Sequence, residues 1–208
     1  MEPQSIMNKK GIRLLTFLIA LLIFYPSDAQ RIWEQRKGSL RTQGNLGGGY
    51  LFAQKQIVAY LNGEAEVFFE DLFAYTGGVC FSFSTLQKDQ AGIKVNHALF
   101  SGANFHFLKP GRWDPYIGVA PGVAVVRSVY RGDDELKLSP YVVAPIISGQ
   151  IGCNFYVSTL LHFFVKVQGV TGQMLSKSPG ASQRMDELKF MGGLGWNLRL
   201  WKPKARDI

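Results

Sequence analysis

The residues able to do chemistry are few and widely spaced. Histidines stand at His97, His106 and His162, and the chain offers Ser101 on the same side of an extended segment as His97. A serine nucleophile needs a histidine base within hydrogen-bond reach and a carboxylate to orient that base. Four residues along a strand is about 13 Å, too far for proton transfer, so each histidine is read as a polar filler of an interior. Cys80 and Cys153 are the only thiols. They fall on opposite faces of strand-like segments, which predicts two free thiols and excludes a cysteine zinc site, since that needs clustered ligands. Gly47-Gly48-Gly49 leads into strand-like rather than helical residues, so no phosphate-cradling loop is present and no cofactor or metal is expected. What remains is a set of acids and bases at alternating positions: Glu64, Glu66, His162, Lys166, Lys189 and Arg199. If these converge in a buried space they must be paired or hydrogen-bonded.

The elements that position them are strands. Beyond residue 30 no helical periodicity of useful length appears, whereas apolar and polar residues alternate with period two again and again. Eight strands are predicted, at 43–54, 57–69, 72–84, 95–107, 114–127, 140–155, 159–173 and 187–201. Connections after the second, fourth and sixth are tight or compact; those after the third, fifth and seventh are longer and polar. The faces separate cleanly. Leu161, Phe163, Val165 and Val167 oppose His162, Phe164, Lys166 and Gln168, and Leu194, Trp196 and Leu198 oppose Gly193, Gly195, Asn197 and Arg199. Glu64 and Lys166 both lie about six residues from their short turns, so they should meet near mid-height across a narrow interior.

Alternation alone also suits a soluble sandwich or a lipocalin with the apolar face inward. Three features favour the inverse. The strands are long enough for a tilted bilayer crossing, which takes roughly 9–11 residues. The polar face is rich in small residues (Gly47, Gly49, Gly78, Gly118, Ala120, Gly122, Gly193, Gly195), as a narrow eight-stranded interior requires. Aromatics gather near strand ends, among them Tyr50, Phe69, Trp113, Tyr116, Tyr141, Trp196 and Trp201, in the manner of interfacial girdles.

Composition and the N-terminus agree. Of 208 residues 47% are hydrophobic and only 18% charged, which excludes a disordered chain. Lys9, Lys10 and Arg13 precede an apolar run over 14–24 and the small-residue stretch Ser27-Asp28-Ala29. That is the order of a secretory signal peptide cut near Ala29-Gln30; the run is too short for a bilayer-spanning helix, which needs about 20 residues. No cysteine follows the junction to carry a lipid anchor. The net charge of +8 is spread along the chain apart from Lys202, Lys204 and Arg206, and for an exported protein it suits anionic lipid or lipopolysaccharide better than nucleic acid. The expected organisation is a signal peptide (1–29), a periplasmic segment (30–42), a barrel (43–201) and a basic periplasmic tail (202–208).

At this point the sequence resembles the small eight-stranded outer-membrane barrels of OmpA and OmpX type. The resemblance is carried by the hairpin over 63–73, by the segment from Trp113 to Gly122, and by the last strand from Leu194 to Leu200. It implies an all-β, antiparallel, up-and-down transmembrane barrel in the outer membrane of a Gram-negative cell, with both termini periplasmic and long loops outside. By analogy with that family's interiors, the lumen charges are either a structural plug or, less simply, an ion gate. The scaffold also hosts lipid A deacylases and palmitoyltransferases, but their His-x-Ser pattern is absent, so no enzyme is expected. The expected role is structural or surface-interacting, with loops such as 127–138 contacting lipopolysaccharide or protein partners; the alternative is a narrow pore or a carrier of small hydrophobic molecules.

Overall fold

The computed structural model describes residues 35–85, 92–132, 135–179 and 181–201. The expected leader over 1–29, the tail over 202–208 and the loop residues Gln87–Gln90 lie outside these. Among the described residues nine antiparallel strands follow in chain order: β1 Ser39–Leu51, β2 Gln56–Phe68, β3 Phe73–Thr85, β4 Gly92–His106, β5 Trp113–Gly132, β6 Glu135–Leu138, β7 Val142–Tyr156, β8 Leu161–Gly172 and β9 Glu187–Arg199. Eight of them form the ring β4-β3-β2-β1-β9-β8-β7-β5, closed by pairing of β5 with β4. Closure gives every wall strand a neighbour on both sides, so that the ring has no free edge.

The ninth strand corrects the expectation of a polar loop over 127–138. β5 runs on to Gly132 and folds back as β6, with Val129 opposite Leu138 and Gly132 opposite Glu135, so a two-stranded hairpin extends the wall at the long-loop end. A second difference lies at the start. β1 begins at Ser39, so Ser39–Thr42, expected to precede the barrel, are wall residues. Leu40 pairs with Val67 on one side and Leu198 on the other.

Every strand turns its apolar side outward. Val165, Leu46 and Phe83 are each more than 60% exposed. Across the same wall Arg41, Glu66, Asp114 and His162 are at most 1% exposed. From the short-turn end to mid-height the barrel is therefore inside out, polar within and apolar without, the arrangement that lipid requires and water penalises. Small inward residues let the ring close this tightly: a Cβ on Gly152 would lie 2.6 Å from the Tyr116 ring, and one on Gly47 would meet Met191 Cγ at 2.6 Å. At the mouth near the short turns, Gly38 has φ 80° and accepts hydrogen bonds from the backbone N–H groups of Leu200 and Trp201. Only glycine fits there, since a Cβ would press on Trp201 Nε1 at 2.9 Å.

Candidate functional site in the barrel interior

Alternation sends one residue in two from each strand into the lumen, and register stacks these side chains in layers. The layer nearest the short turns is centred on Arg41 of β1. Its Nη1 donates to Glu66 Oε2 at 2.8 Å and its Nη2 to Asp114 Oδ2 at 2.7 Å. The guanidinium also bonds the Tyr156 hydroxyl and lies 4.8 Å from the centre of the Phe68 ring. Asp114 is hydrogen-bonded further to His106 Nδ1 at 2.8 Å and forms an ion pair with Arg36 Nη2 at 2.9 Å. Asn104 donates its amide to Glu66. Two acids thus face two arginines in a buried space, with additional donors on the remaining carboxylate oxygens, the condition under which buried ion pairs are tolerated.

Arg36 precedes the wall and ties its end. Its Nη1 donates to the carbonyls of Leu108 at 2.8 Å and Asp71 at 3.0 Å, while Asp71 Oδ1 accepts the backbone N–H groups of Arg36 at 2.7 Å and Lys37 at 2.9 Å. The segment before β1 is thereby strapped to two of the short turns.

The second layer holds the expected pair. Lys166 of β8 and Glu64 of β2 form an ion pair across the lumen, and Glu64 Oε1 also accepts from Thr76 Oγ1 at 3.1 Å. Gln150 bridges this pair to Asn104, donating to its Oδ1 at 2.8 Å. His162 lies beside Gln43, nitrogen to nitrogen 3.1 Å, and the same Gln43 amide donates to Asn154 Oδ1 at 3.0 Å. A cavity of about 30 Å³ between Glu64, Lys166, Cys80 and Gln168 has space for about two waters.

The third layer is on the long-loop side. Lys189 Nζ is 3.4 Å from Glu187 Oε2, 3.3 Å from Cys80 Sγ and 4.3 Å from the centre of the Tyr60 ring. Asn96 donates to Tyr60 Oη at 2.8 Å. Above it the lumen changes character. Leu51, Val58, Ile93, Val126, Val142 and Ile146 form a buried apolar cluster into which Met174 and Met185 project from the segment between β8 and β9. That segment is held by Ser128 Oγ against Ser178 Oγ at 2.7 Å and by Met174 N–H donating to the Gln183 carbonyl at 2.9 Å.

Of the six charged residues expected in one network, five are inside and divide among three layers. Arg199 is the exception: it is exposed at the rim and donates Nη1 to the Lys37 carbonyl at 2.9 Å. It is the last paired residue of β9, opposite Ser39, where the wall ends and an inward position opens to the rim. Of the aromatics expected to face outward, Tyr50, Phe69, Trp113, Tyr141, Trp196 and Trp201 do so. Tyr116 does not. It is 1% exposed, packed on Gly152 and tilted against His106 at 5.4 Å. It lies three residues from Trp113, an odd spacing that puts the two on opposite faces. His97 corrects the reading of every histidine as lumen filler: it is on the outer side, accepting at Nδ1 from the Ser82 backbone N–H at 3.2 Å and packing on Phe81. Ser101 is engaged separately by the Tyr75 hydroxyl. Both cysteines are free, Cys80 in the lumen and Cys153 on the other side of the wall.

Sequence reasoning missed Arg36, Arg41, Asp114 and Tyr156, the centre of the first layer. Asp114 was discoverable, since parity places it opposite Trp113. Arg41 lies outside the predicted strand, which begins four residues too late.

A closed eight-stranded barrel with an outward apolar wall and an ion-paired interior defines a class, the small outer-membrane β-barrels, and the chain has that fold. No protein-family model matches it, and no curated protein matches it in sequence. Solved structures do. The N-terminal barrel domain of Pseudomonas aeruginosa OprF covers 78% of this chain and 98% of its own, at 15% identity and TM-score 0.51. Neisserial surface protein A covers 77% and 96%, at 8% identity and TM-score 0.51. Ail, the attachment invasion locus protein of Yersinia pestis, covers 78% and 99%, at 10% identity and TM-score 0.50. At such identities the likeness is one of fold.

Proposed function

We propose that this chain is a non-enzymatic barrel protein of the Gram-negative outer membrane, exported by its leader, with a lumen plugged by its own side chains and its activity in the long-loop end. The observation that carries this reading is the inversion of the wall: apolar side chains outside, ion pairs inside. Tyr50, Phe69, Trp113, Tyr141, Trp196 and Trp201 then act as girdles. Surface contact with lipopolysaccharide or envelope proteins is supported by the hairpin of β5 and β6, which carries Arg131 and Lys137 on its exposed part, and by Arg127, stacked 5.0 Å from the centre of the Tyr141 ring. Cell fractionation tests the location. Recovery with the outer membrane, with faster gel migration before boiling than after, is the expected result; a soluble product with no shift refutes it.

The plug has its own test. With Glu64→Gln and Lys166→Met together, folding should persist and bilayer conductance should be unchanged, because the double variant removes both charges of the pair and strands neither. Channel openings in the double variant would mean that the pair is a gate.

A second reading, a carrier of small hydrophobic molecules, is favoured by one feature: the apolar upper lumen under Met174 and Met185, a residue type suited to adaptable apolar contacts. Substituting both methionines with glutamine should abolish uptake of an apolar dye into vesicles if the reading holds. Equal uptake with and without the protein would dismiss it.

A further inference from the structure

We propose that Cys80 and Lys189 are a modification site, joined by an S–N (sulfenamide) bond that forms under peroxide and staples the barrel across its lumen. The two residues belong to β3 and β9, separated in the ring by β2 and β1. Their side chains nevertheless meet inside, Lys189 Nζ 3.3 Å from Cys80 Sγ, with the residues 1% and 2% exposed. Peroxide oxidises sulfur as the thiolate, and the Lys189 cation 3.3 Å away is the charge that would stabilise it there.

Two more features complete the site. The cavity of about 30 Å³ reaches Cys80 and can admit a molecule of the size of hydrogen peroxide. Glu187 Oε2 stands 3.4 Å from Lys189 Nζ and can take its proton, while the buried Glu187 Oε1 has no hydrogen-bond partner.

The chemistry closes without any other reagent. Peroxide oxidises the thiol by two electrons: one of its oxygens becomes the sulfenic Sγ–OH, and the other leaves as water. Glu187 takes a proton from the Lys189 ammonium. The freed Nζ lone pair attacks Sγ, the S–O bond breaks, and the departing hydroxide takes a second N–H proton and leaves as water. The product is a neutral Sγ–Nζ bond beside a protonated Glu187, so a buried ion pair is replaced by neutral groups. Thiol reductants reverse it by attack on sulfur, releasing the amine. Cys153 is an internal control, because it lies on the other side of the wall, where its Sγ bonds the Asn154 carbonyl at 3.7 Å and meets no lysine in the hydrogen bonds described.

The test does not depend on where the protein resides. The purified full-length chain in detergent micelles, free of reductant, is treated with hydrogen peroxide, digested and analysed by mass spectrometry. The expected product joins the peptides carrying residues 80 and 189 at their summed mass less two hydrogens. It should vanish with dithiothreitol and be absent from Cys80→Ser and Lys189→Arg, while Cys80 in the second variant proceeds to sulfinic acid. Recovery of wild-type Cys80 as the thiol, or as sulfinic acid with an unmodified residue 189 peptide, overturns the proposal.

Discussion

Arg41 of β1 and Asp114 of β5 meet across the barrel, Nη2 to Oδ2 at 2.7 Å, although 73 residues separate them in sequence. The contact joins opposite sides of the ring, and Glu66 completes it from β2. Removing the guanidinium strands two buried carboxylates. Arg41→Met should destabilise the barrel by about 3–5 kcal/mol, seen as a lower urea midpoint in lipid vesicles. Adding Glu66→Gln should restore much of the loss, because the carboxylate that remains, Asp114, keeps its ion pair with Arg36. An unchanged midpoint for Arg41→Met alone would show that the cluster contributes little.

Arg36 acts at the end of the wall rather than within it. Arg36→Ala removes the bonds to the Asp71 and Leu108 carbonyls, while Asp114 keeps Arg41 and His106. We expect a local effect of about 1–3 kcal/mol. Hydrogen exchange should accelerate at the Gly38 and Ser39 amides, with mid-strand amides of β1 still protected. Uniform acceleration along β1 would mean that the strap nucleates the whole strand.

Two glycines of β7 should behave oppositely. Gly152 points inward against Tyr116, whereas Gly149 has nothing within 4 Å of its missing Cβ. Gly152→Ala should cost about 1–3 kcal/mol through overpacking. Tyr116→Leu should relieve that cost in the double variant. Gly149→Ala should be neutral or slightly stabilising. Equal effects at the two sites would contradict the register of Tyr116 with Gly152.

The outward face is testable at Val165, which is 66% exposed near the middle of β8. In a bilayer, Val165→Arg should cost about 2–4 kcal/mol. A soluble protein would accept the same exposed substitution with little change. Folding yield into vesicles, compared with Val165→Leu, separates the two cases.

Much of this architecture is legible in the sequence alone. Period-two alternation is a local property, and it placed Lys166 and Glu64 inward and Val165 and Leu194 outward, because strand geometry alone sends neighbours to opposite faces. The same rule read without care misassigned Tyr116, and it stopped applying at Arg199, where pairing ends. The upper lumen was less legible. Val58, Val126 and Val142 look like lipid-facing residues by type, yet they line the interior at the long-loop end, where Met174 and Met185 return between them. Residue type cannot separate an apolar group facing lipid from one packed under a folded loop, since both avoid water equally well.

The sequence by itself determined that these residues form strands, which face of each is apolar, and that so many long apolar faces with small inward residues suit a closed wall in lipid. Those properties depend on neighbours two residues apart. Only the tertiary structure decided that Arg41 answers Asp114, that Lys189 touches Cys80 and that Arg36 straps the turns. Such meetings depend on the register of every strand between them, and one slip of a single residue would turn each of these side chains to the other face.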